Sequence, residues 1–370
     1  MAKRPVPSAV EGPRPRIGKW PLCWFACSLL LLPVLFPHSA SRAQEQPASE
    51  RHVSEFRGLT MGGTFSVKVV TPKDELETPG LPDVDRALRS TLDRIEGLMS
   101  TWDRDSELSR FNRSTSLEPF AASPETFEVF KWSIDVGILT GGALDVTIGP
   151  LVDAWGFGPS GPRKTAPPDE EIARLLEATG AGRLELNPKT LTVRKTRPEV
   201  QCDLSSVVPG YAADRLSVEL EKRGFTDFLV DVGGEVLTRG RNEAGAPWQV
   251  AIERPQLHGD AIQRIVPISN LAITTAGDYR KYREVDGQRV AHILDPRTGR
   301  PLTHRLASVT VIDALAVRAD AFDTALMVLG TAEGMALAEK LGLAALFIER
   351  TNDGFSERAT RRFDEITAKR

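Results

Sequence analysis

Near the end of the chain, three side chains able to bind a cation or move a proton fall within ADAFDTALMVLG (319–330): Asp320, Asp323 and Thr324. Asp320 and Thr324 are four residues apart, so on a helix they are neighbours on one face, with Asp323 beside them. Ala319, Phe322, Ala325, Leu326, Met327, Val328 and Leu329 make that helix apolar nearly all round, the pattern of a buried helix. Burying a carboxylate is expensive unless it is paired or binds a metal. A hard cation with oxygen ligands, Mg2+ foremost, satisfies a carboxylate and a hydroxyl together. A helix with one solvated edge is the alternative reading of the same spacing.

A second grouping is HILDPRTG (292–299). Asp295-Pro296 and Thr298-Gly299 are breaker pairs that reverse the chain, which leaves His292 and Arg297 surplus to turning. Of five histidines, His38 and His52 lie near the N-terminus, so His292 leads as candidate general base, ahead of His304 and His258. A structural histidine is the competing reading. Glycine pairs at Gly62-Gly63, Gly141-Gly142 and Gly233-Gly234 either let backbone amides approach a ligand or simply turn the chain. None forms a G-x-G-x-x-G or a P-loop, which excludes the standard dinucleotide and Walker motifs. Trp102, Trp155, Tyr279 and Tyr282 adjoin these loops, where they could stack on a planar ring or pack in the core.

The elements that must position these groups can be read from periodicity. GTFSVKVV (63–70) reads as a strand, and residues 84–102 and 124–142 as helices, the second ending in paired glycines. The Pro- and Gly-rich stretch 156–170 is loop. Then follow a short helix (169–179), strands near 183–186 and 190–194, a helix at 211–223, and strands at 226–232, 248–253 and 307–312. The last strong helix spans 317–342, with a break at Gly330 or Gly334. Strands and helices mixed without steady βαβ alternation indicate an α+β fold, most economically one domain with a loop-rich insertion near 156–200.

The 370 residues are 41% hydrophobic and 26% charged, so a sizeable core is available. A net charge of −3 gives no support for a nucleic-acid footprint or a polybasic membrane surface. Basic residues Lys3, Arg4, Arg14, Arg16 and Lys19 precede the apolar run 22–36 and the small residues SASRA (39–43), the order of an export signal cleaved after Ala43. An uncleaved anchor is the alternative. Either puts the folded part outside the cytoplasmic membrane. Cys23 and Cys27 lie in that segment, leaving Cys202 alone, so no internal disulfide forms in the mature chain and Cys202 reads as a small buried apolar residue.

Eight segments in order resemble the flavin transferase family, FAD:protein FMN transferase of the ApbE type: GLTMGGTFSVKV (58–69), MSTWDRDSELSRFN (99–112), GGALDVTIGPLVDAWGFG (141–158), DLSSVVPGYAAD (203–214), VDVGGEV (230–236), TTAGDYRKY (274–282), HILDPRTGRP (292–301) and ADAFDTALMVLG (319–330). The resemblance implies an ApbE-type, T-fold-like architecture of mixed sheets with packed helices. It implies one catalytic domain over 56–350, after a polar leader (44–55) and before a polar tail (351–370). It also implies an activity: Mg2+-dependent transfer of FMN from FAD to a threonine hydroxyl of a target protein, releasing AMP. By the same resemblance Asp320 and Thr324 are side-chain metal ligands, with the carbonyl of Val208 as backbone ligand. His292 would be base or proton relay, a role that Asp278 and Asp320 could share. Met61, Ser100, Trp102, Asp145, Gly210, Gly233, Gly234, Thr275, Gly277, Asp278 and His292 would line the FAD pocket.

The departures cluster in DLSSVVPGY (203–211), where the family usually reads Asp-Leu-Gly-Gly-Ile-Ala-Lys-Gly-Tyr. Ser205, Ser206 and Pro209 replace two glycines and a lysine, removing one positive charge beside the expected diphosphate. Proline is compatible with a first helical turn, whose amide-rich end still attracts phosphate. Gly63 and Ala276 delete two more hydroxyls. Two rival readings of the same site are therefore an FAD pyrophosphatase giving FMN and AMP, and a non-catalytic FAD-binding module. The expected partner is an extracytoplasmic electron-transfer protein bearing an Asp-Gly-x-Ser/Thr-Gly-Ala-Thr acceptor motif. DGFSERAT (353–360) resembles that motif with one extra residue, which raises self-modification at Thr360.

Overall fold

The alternation in GTFSVKVV turns Phe65, Val67 and Val69 to one face, where all three are buried, and leaves Ser66 and Lys68 half-buried on the other. That strand is part of an eight-stranded sheet in a computed structural model, which describes residues 51–72, 81–256 and 261–368. The proposed export segment and His258 lie outside those residues.

Numbering only the strands of the large sheet, these are β1 (Arg51–Thr60), β2 (Gly63–Pro72), β3 (Phe228–Val232), β4 (Glu235–Arg239), β5 (Ala272–Gly277), β6 (Leu306–Asp313), β7 (Ala344–Thr351) and β8 (Gly354–Ala359). Order in the sheet follows order in the chain, and each neighbouring pair is antiparallel. Between β2 and β3 the chain builds helices α1 (Leu81–Met99), α2 (Glu107–Arg113), α3 (Pro124–Leu139), α4 (Gly149–Ala154), α5 (Asp169–Leu176) and α6 (Val208–Glu221). A small sheet of residues 120–121, 184–187 and 192–195 lies in the same insertion. Helix α7 (Ala316–Leu341) joins β6 to β7, and α8 (Arg361–Thr367) ends the described chain.

The main core lies between one sheet face and helices α1, α3, α6 and α7, as Val67, Val230, Val309, Leu92, Phe130, Leu216 and Leu326 share one cluster. A second core on the opposite face joins Ile273, Ile312 and Ile348 to Ile252 and Val266 of the 248–268 hairpin and to Phe363 of α8. The two cores leave β6 buried on both faces along all but its last residue. Helix α7 is interrupted at Gly330, whose φ of 74° and ψ of 176° are not helical.

Two stretches assigned from sequence as polar flanks are built into the sheet. β1 begins at Arg51, inside the leader, and β8 with α8 occupies the C-terminal tail. Both strands are sheet edges with one solvated face, so their composition is polar although they pair along their whole length.

Candidate active site

Two of the candidate glycine turns meet at one end of the sheet. The β1–β2 turn (Met61 φ 49°, Gly62 φ 72°) and the β3–β4 turn (Gly233 φ 71°, Gly234 φ 112°) emerge there, next to the end of β5. These left-handed angles are why glycine stands at three of the four positions. Gly233 donates its N–H to the Thr64 carbonyl at 2.9 Å, and Gly234 donates to Asp231 Oδ1 at 2.9 Å.

Under these turns lies a group of buried acids. Asp320 and Asp323 of α7 are 5% and 1% exposed. Thr324 Oγ1 is 3.3 Å from Asp323 Oδ1, and Glu235, first residue of β4, repels both aspartates. Burial, then mutual repulsion, holds both aspartyl pKa values well above the ordinary range. Burial also pushes Glu235 to about 7, with Asp231 adding repulsion. Asp323 Oδ2, Glu235 Oε2 and Thr274 Oγ1 are buried without a hydrogen-bond partner. Unpaired oxygens in a dry acidic site are what a hard cation satisfies. Among the described residues no three His, Cys, Asp or Glu side chains form a ready-made metal cage, so a cation here must also draw on hydroxyl and carbonyl oxygens.

Helices α6 and α7 pack antiparallel. The Gly210 amide donates to Asp320 Oδ2 at 2.8 Å, and Asp214 accepts from the Ala316 and Val317 amides at 3.0 and 2.9 Å, capping α7. A Cβ at Gly210 would lie 2.5 Å from the Ala316 carbonyl oxygen and 2.8 Å from Asp320 Cβ, so only glycine permits this approach. Val208 is the first residue of α6 and Pro209 occupies its first turn, where no intrahelical N–H is needed. The start of a 14-residue helix therefore points at the acids, with Ser205 and Ser206 in the preceding loop.

His292 is half-buried, and its Nδ1 lies 3.1 Å from the Lys281 carbonyl, which also accepts the His292 backbone N–H at 3.2 Å. A carbonyl only accepts, so Nδ1 carries the proton and Nε2 keeps a lone pair. Burial, reinforced by Lys281, lowers the imidazole pKa to about 4, leaving a neutral base at physiological pH. His304 is exposed.

Other residues singled out from sequence have more varied settings. Asp278 is gripped by both arms of the Arg350 guanidinium, Nη1 at 2.8 Å, which removes it as a free base to share with His292. Asp145 is buried and committed to Thr147, accepting its N–H at 2.9 Å and its hydroxyl at 2.6 Å; burial raises its pKa. Ser100 Oγ accepts the Trp102 and Asp103 amides and shapes the turn that leaves Trp102 63% exposed, an open stacking face. The Met61 amide donates to Glu96 at 3.3 Å, Thr275 Oγ1 meets Thr310 Oγ1 at 2.9 Å, and the Tyr279 ring packs against Gly277. Cys202 is a buried free thiol, its pKa raised by burial. Thr360 is fully buried, donating to the Leu343 carbonyl and accepting from the Ala345 amide, which excludes it as an exposed acceptor hydroxyl.

Glu235, Thr274, Lys281 and Arg350 were not singled out from the sequence. Glu235 was within reach, because it directly follows the Gly233-Gly234 pair. Arg350 gave no signal, since its partner is 72 residues away.

Fold and site together define an α+β protein with a buried acidic centre at the rim of an antiparallel sheet. The ApbE family matches residues 61–347, and this chain belongs to it. A Vibrio cholerae protein named FAD:protein FMN transferase is 42% identical over 329 residues, covering 88% of this chain and 95% of that one. Its Escherichia coli namesake is 37% identical over 330 residues, 89% and 93% of the two chains. Among solved structures, flavin transferase ApbE from Vibrio cholerae matches with a TM-score of 0.78 at 39% identity, over 85% of this chain and 99% of that one. Flavinyl transferase ApbE from Pseudomonas stutzeri, in apo form, gives 0.77 at 36%, over 86% and 97%.

Proposed function

We propose that this chain is an FAD:protein FMN transferase that moves the FMN half of FAD onto a threonine hydroxyl of an acceptor protein, releasing AMP. The observation that carries this reading is the acidic set Asp320, Asp323 and Glu235, in which Asp323 Oδ2 and Glu235 Oε2 are buried without partners. Asp320 and Thr324 would hold Mg2+, with the Val208 carbonyl as a backbone ligand. When bound, the ion neutralises charge on the diphosphate of FAD.

The chain's own groups do the rest. The acceptor oxygen bonds to the FMN phosphorus while the bond from that phosphorus to the bridging oxygen breaks, and AMP leaves with the electron pair. His292 Nε2, held free by the Nδ1 contact to Lys281, takes the proton from the attacking hydroxyl. The amide-rich start of α6 supplies partial positive charge where Pro209 replaces the family's lysine. Trp102 offers the isoalloxazine an exposed stacking face, and the backbone of Met61, Gly233, Gly234, Thr275 and Gly277 would line the pocket. The basic and apolar order of residues 1–43 supports export to the periplasm or the outer face of the inner membrane, where an electron-transfer protein with an Asp-Gly-x-Ser/Thr-Gly-Ala-Thr motif would be the acceptor.

The test incubates purified chain with FAD, Mg2+ and a peptide carrying that motif. AMP together with a flavin-labelled peptide is expected. AMP with an unlabelled peptide means water is the acceptor and the protein is a pyrophosphatase, and FAD bound but intact means a binding module.

A further inference from the structure

Asp278 is held on three sides. Arg350 grips its carboxylate with both guanidinium nitrogens, Nη1 to Oδ2 at 2.8 Å, its amide donates to the Ala307 carbonyl at 3.2 Å, and its own carbonyl accepts from Arg289 Nη2 at 2.7 Å. Arg350 is itself anchored in β7: its amide donates to the Arg305 carbonyl and its carbonyl accepts from Arg305 Nε, both at 2.9 Å. Three residues past Asp278 is Lys281, the residue whose carbonyl faces His292 Nδ1. The hairpin of residues 282–291 pairs Tyr282 with Ala291, so Lys281 and His292 are its next rung, and Arg289 over the Tyr282 ring at 4.4 Å ties that hairpin back to Asp278. Every link from the Arg350 fork to the histidine ring is a direct contact or a few residues of tethered backbone.

We propose that Arg350, beyond the segment 61–347 that matches the family, is a positioning residue: its fork on Asp278 fixes the 278–281 loop so that the Lys281 carbonyl holds His292 in the Nδ1–H tautomer. The catalytic consequence rests on the transferase reading, whereas the tautomer does not. A bidentate guanidinium defines a plane and an angle, which a lysine ammonium cannot reproduce. A misplaced base loses rate steeply, on the order of 10- to 100-fold for shifts near an ångström.

The test records 15N spectra of the histidines in the full chain without FAD, the His292 signals being assigned with His292→Gln. Wild type should give one tautomer, protonated at Nδ1. Arg350→Ala should give a tautomer mixture, a kcat roughly 10- to 100-fold lower and a KM for FAD within about twofold of wild type. Arg350→Lys should restore only part of kcat. If Arg350→Ala does not fold, Asp278→Asn, which keeps the side-chain shape and breaks the ion pair, carries the same expectation for the tautomer and for kcat. A single Nδ1–H tautomer and unchanged kcat in either folded variant overturns the proposal. A wild-type chain inactive with FAD and acceptor peptide defeats the transferase reading instead, and the spectra still decide the role of Arg350.

Discussion

Gly210→Ala tests whether the α6–α7 contact holds the acidic centre together. The added methyl would sit 2.5 Å from the Ala316 carbonyl oxygen and 2.8 Å from both Ala316 C and Asp320 Cβ, and two of those atoms are backbone that cannot rotate away. Helix α6 must therefore retreat from α7, stretching the 2.8 Å bond from the Gly210 amide to Asp320. Overpacking of this kind costs about 1–3 kcal/mol, and the weakened hydrogen bond adds about 1 kcal/mol. Together these are about 3 kcal/mol, or roughly 6 °C in Tm at about 2 °C per kcal/mol for a domain of this size. The control is Gly97→Ala on the exposed face of α1, where nothing lies within 4 Å; it should stabilise by about 0.5–1 kcal/mol. Differential scanning calorimetry gives both values, and Mg2+ titration of Gly210→Ala should show weaker binding. A Gly210→Ala chain with wild-type Tm and wild-type Mg2+ affinity would refute the packing argument.

Other outcomes follow from the same groups. Asp323→Asn removes one of the mutually repelling carboxylates, so it should raise the Tm of the metal-free chain while weakening Mg2+ binding roughly tenfold, about 1.4 kcal/mol by calorimetry. Because Asp320 and Asp323 have raised pKa values and burial pushes Glu235 up to about 7, Mg2+ binding should release protons, its heat varying with buffer ionisation enthalpy and its affinity still rising as pH passes through 7. His292, at about 4, lies below its ordinary 6.5, so the folded chain binds fewer protons than the unfolded chain in that window. Stability should therefore fall as pH drops from 6.5 to 4, by about 1–3 kcal/mol in urea melts, and His292→Gln should flatten that slope. Thr360 accepts the Phe363 amide at the start of α8, so Thr360→Ala should lower stability by about 1–2 kcal/mol and leave the chain's intact mass in FAD and Mg2+ free of any flavin difference from wild type.

Much of the scaffold was legible because its pattern is local. The apolar spacing of α1 and of α7, the glycine break at 330 and the Pro-rich loop after Trp155 all follow from neighbouring residues. Asp320 and Thr324 were legible for the same reason, being one helical turn apart in an apolar helix. The edges β1 and β8 were not, because an edge strand with a wet face is polar and its pairing partner is invisible in its own sequence. Glu235 and Asp278 show the same limit in the site. The Gly233-Gly234 pair marks Glu235 only as the residue after a turn and not as a neighbour of the α7 acids, and nothing in TTAGDYRKY reveals that the Asp278 carboxylate belongs to Arg350 rather than to a proton relay. Thr360 matched a short motif, yet its hydroxyl is consumed by two backbone groups in the core.

The most direct measurement counts products in one tube: AMP by chromatography and flavin-labelled acceptor peptide by intact mass, for wild type and Asp320→Ala at saturating FAD and Mg2+. Wild type should yield the two in equal amounts, and Asp320→Ala should lose both while Mg2+ binding disappears in parallel. Labelling at the wild-type rate by Asp320→Ala would contradict a cation-dependent transfer centred on α7.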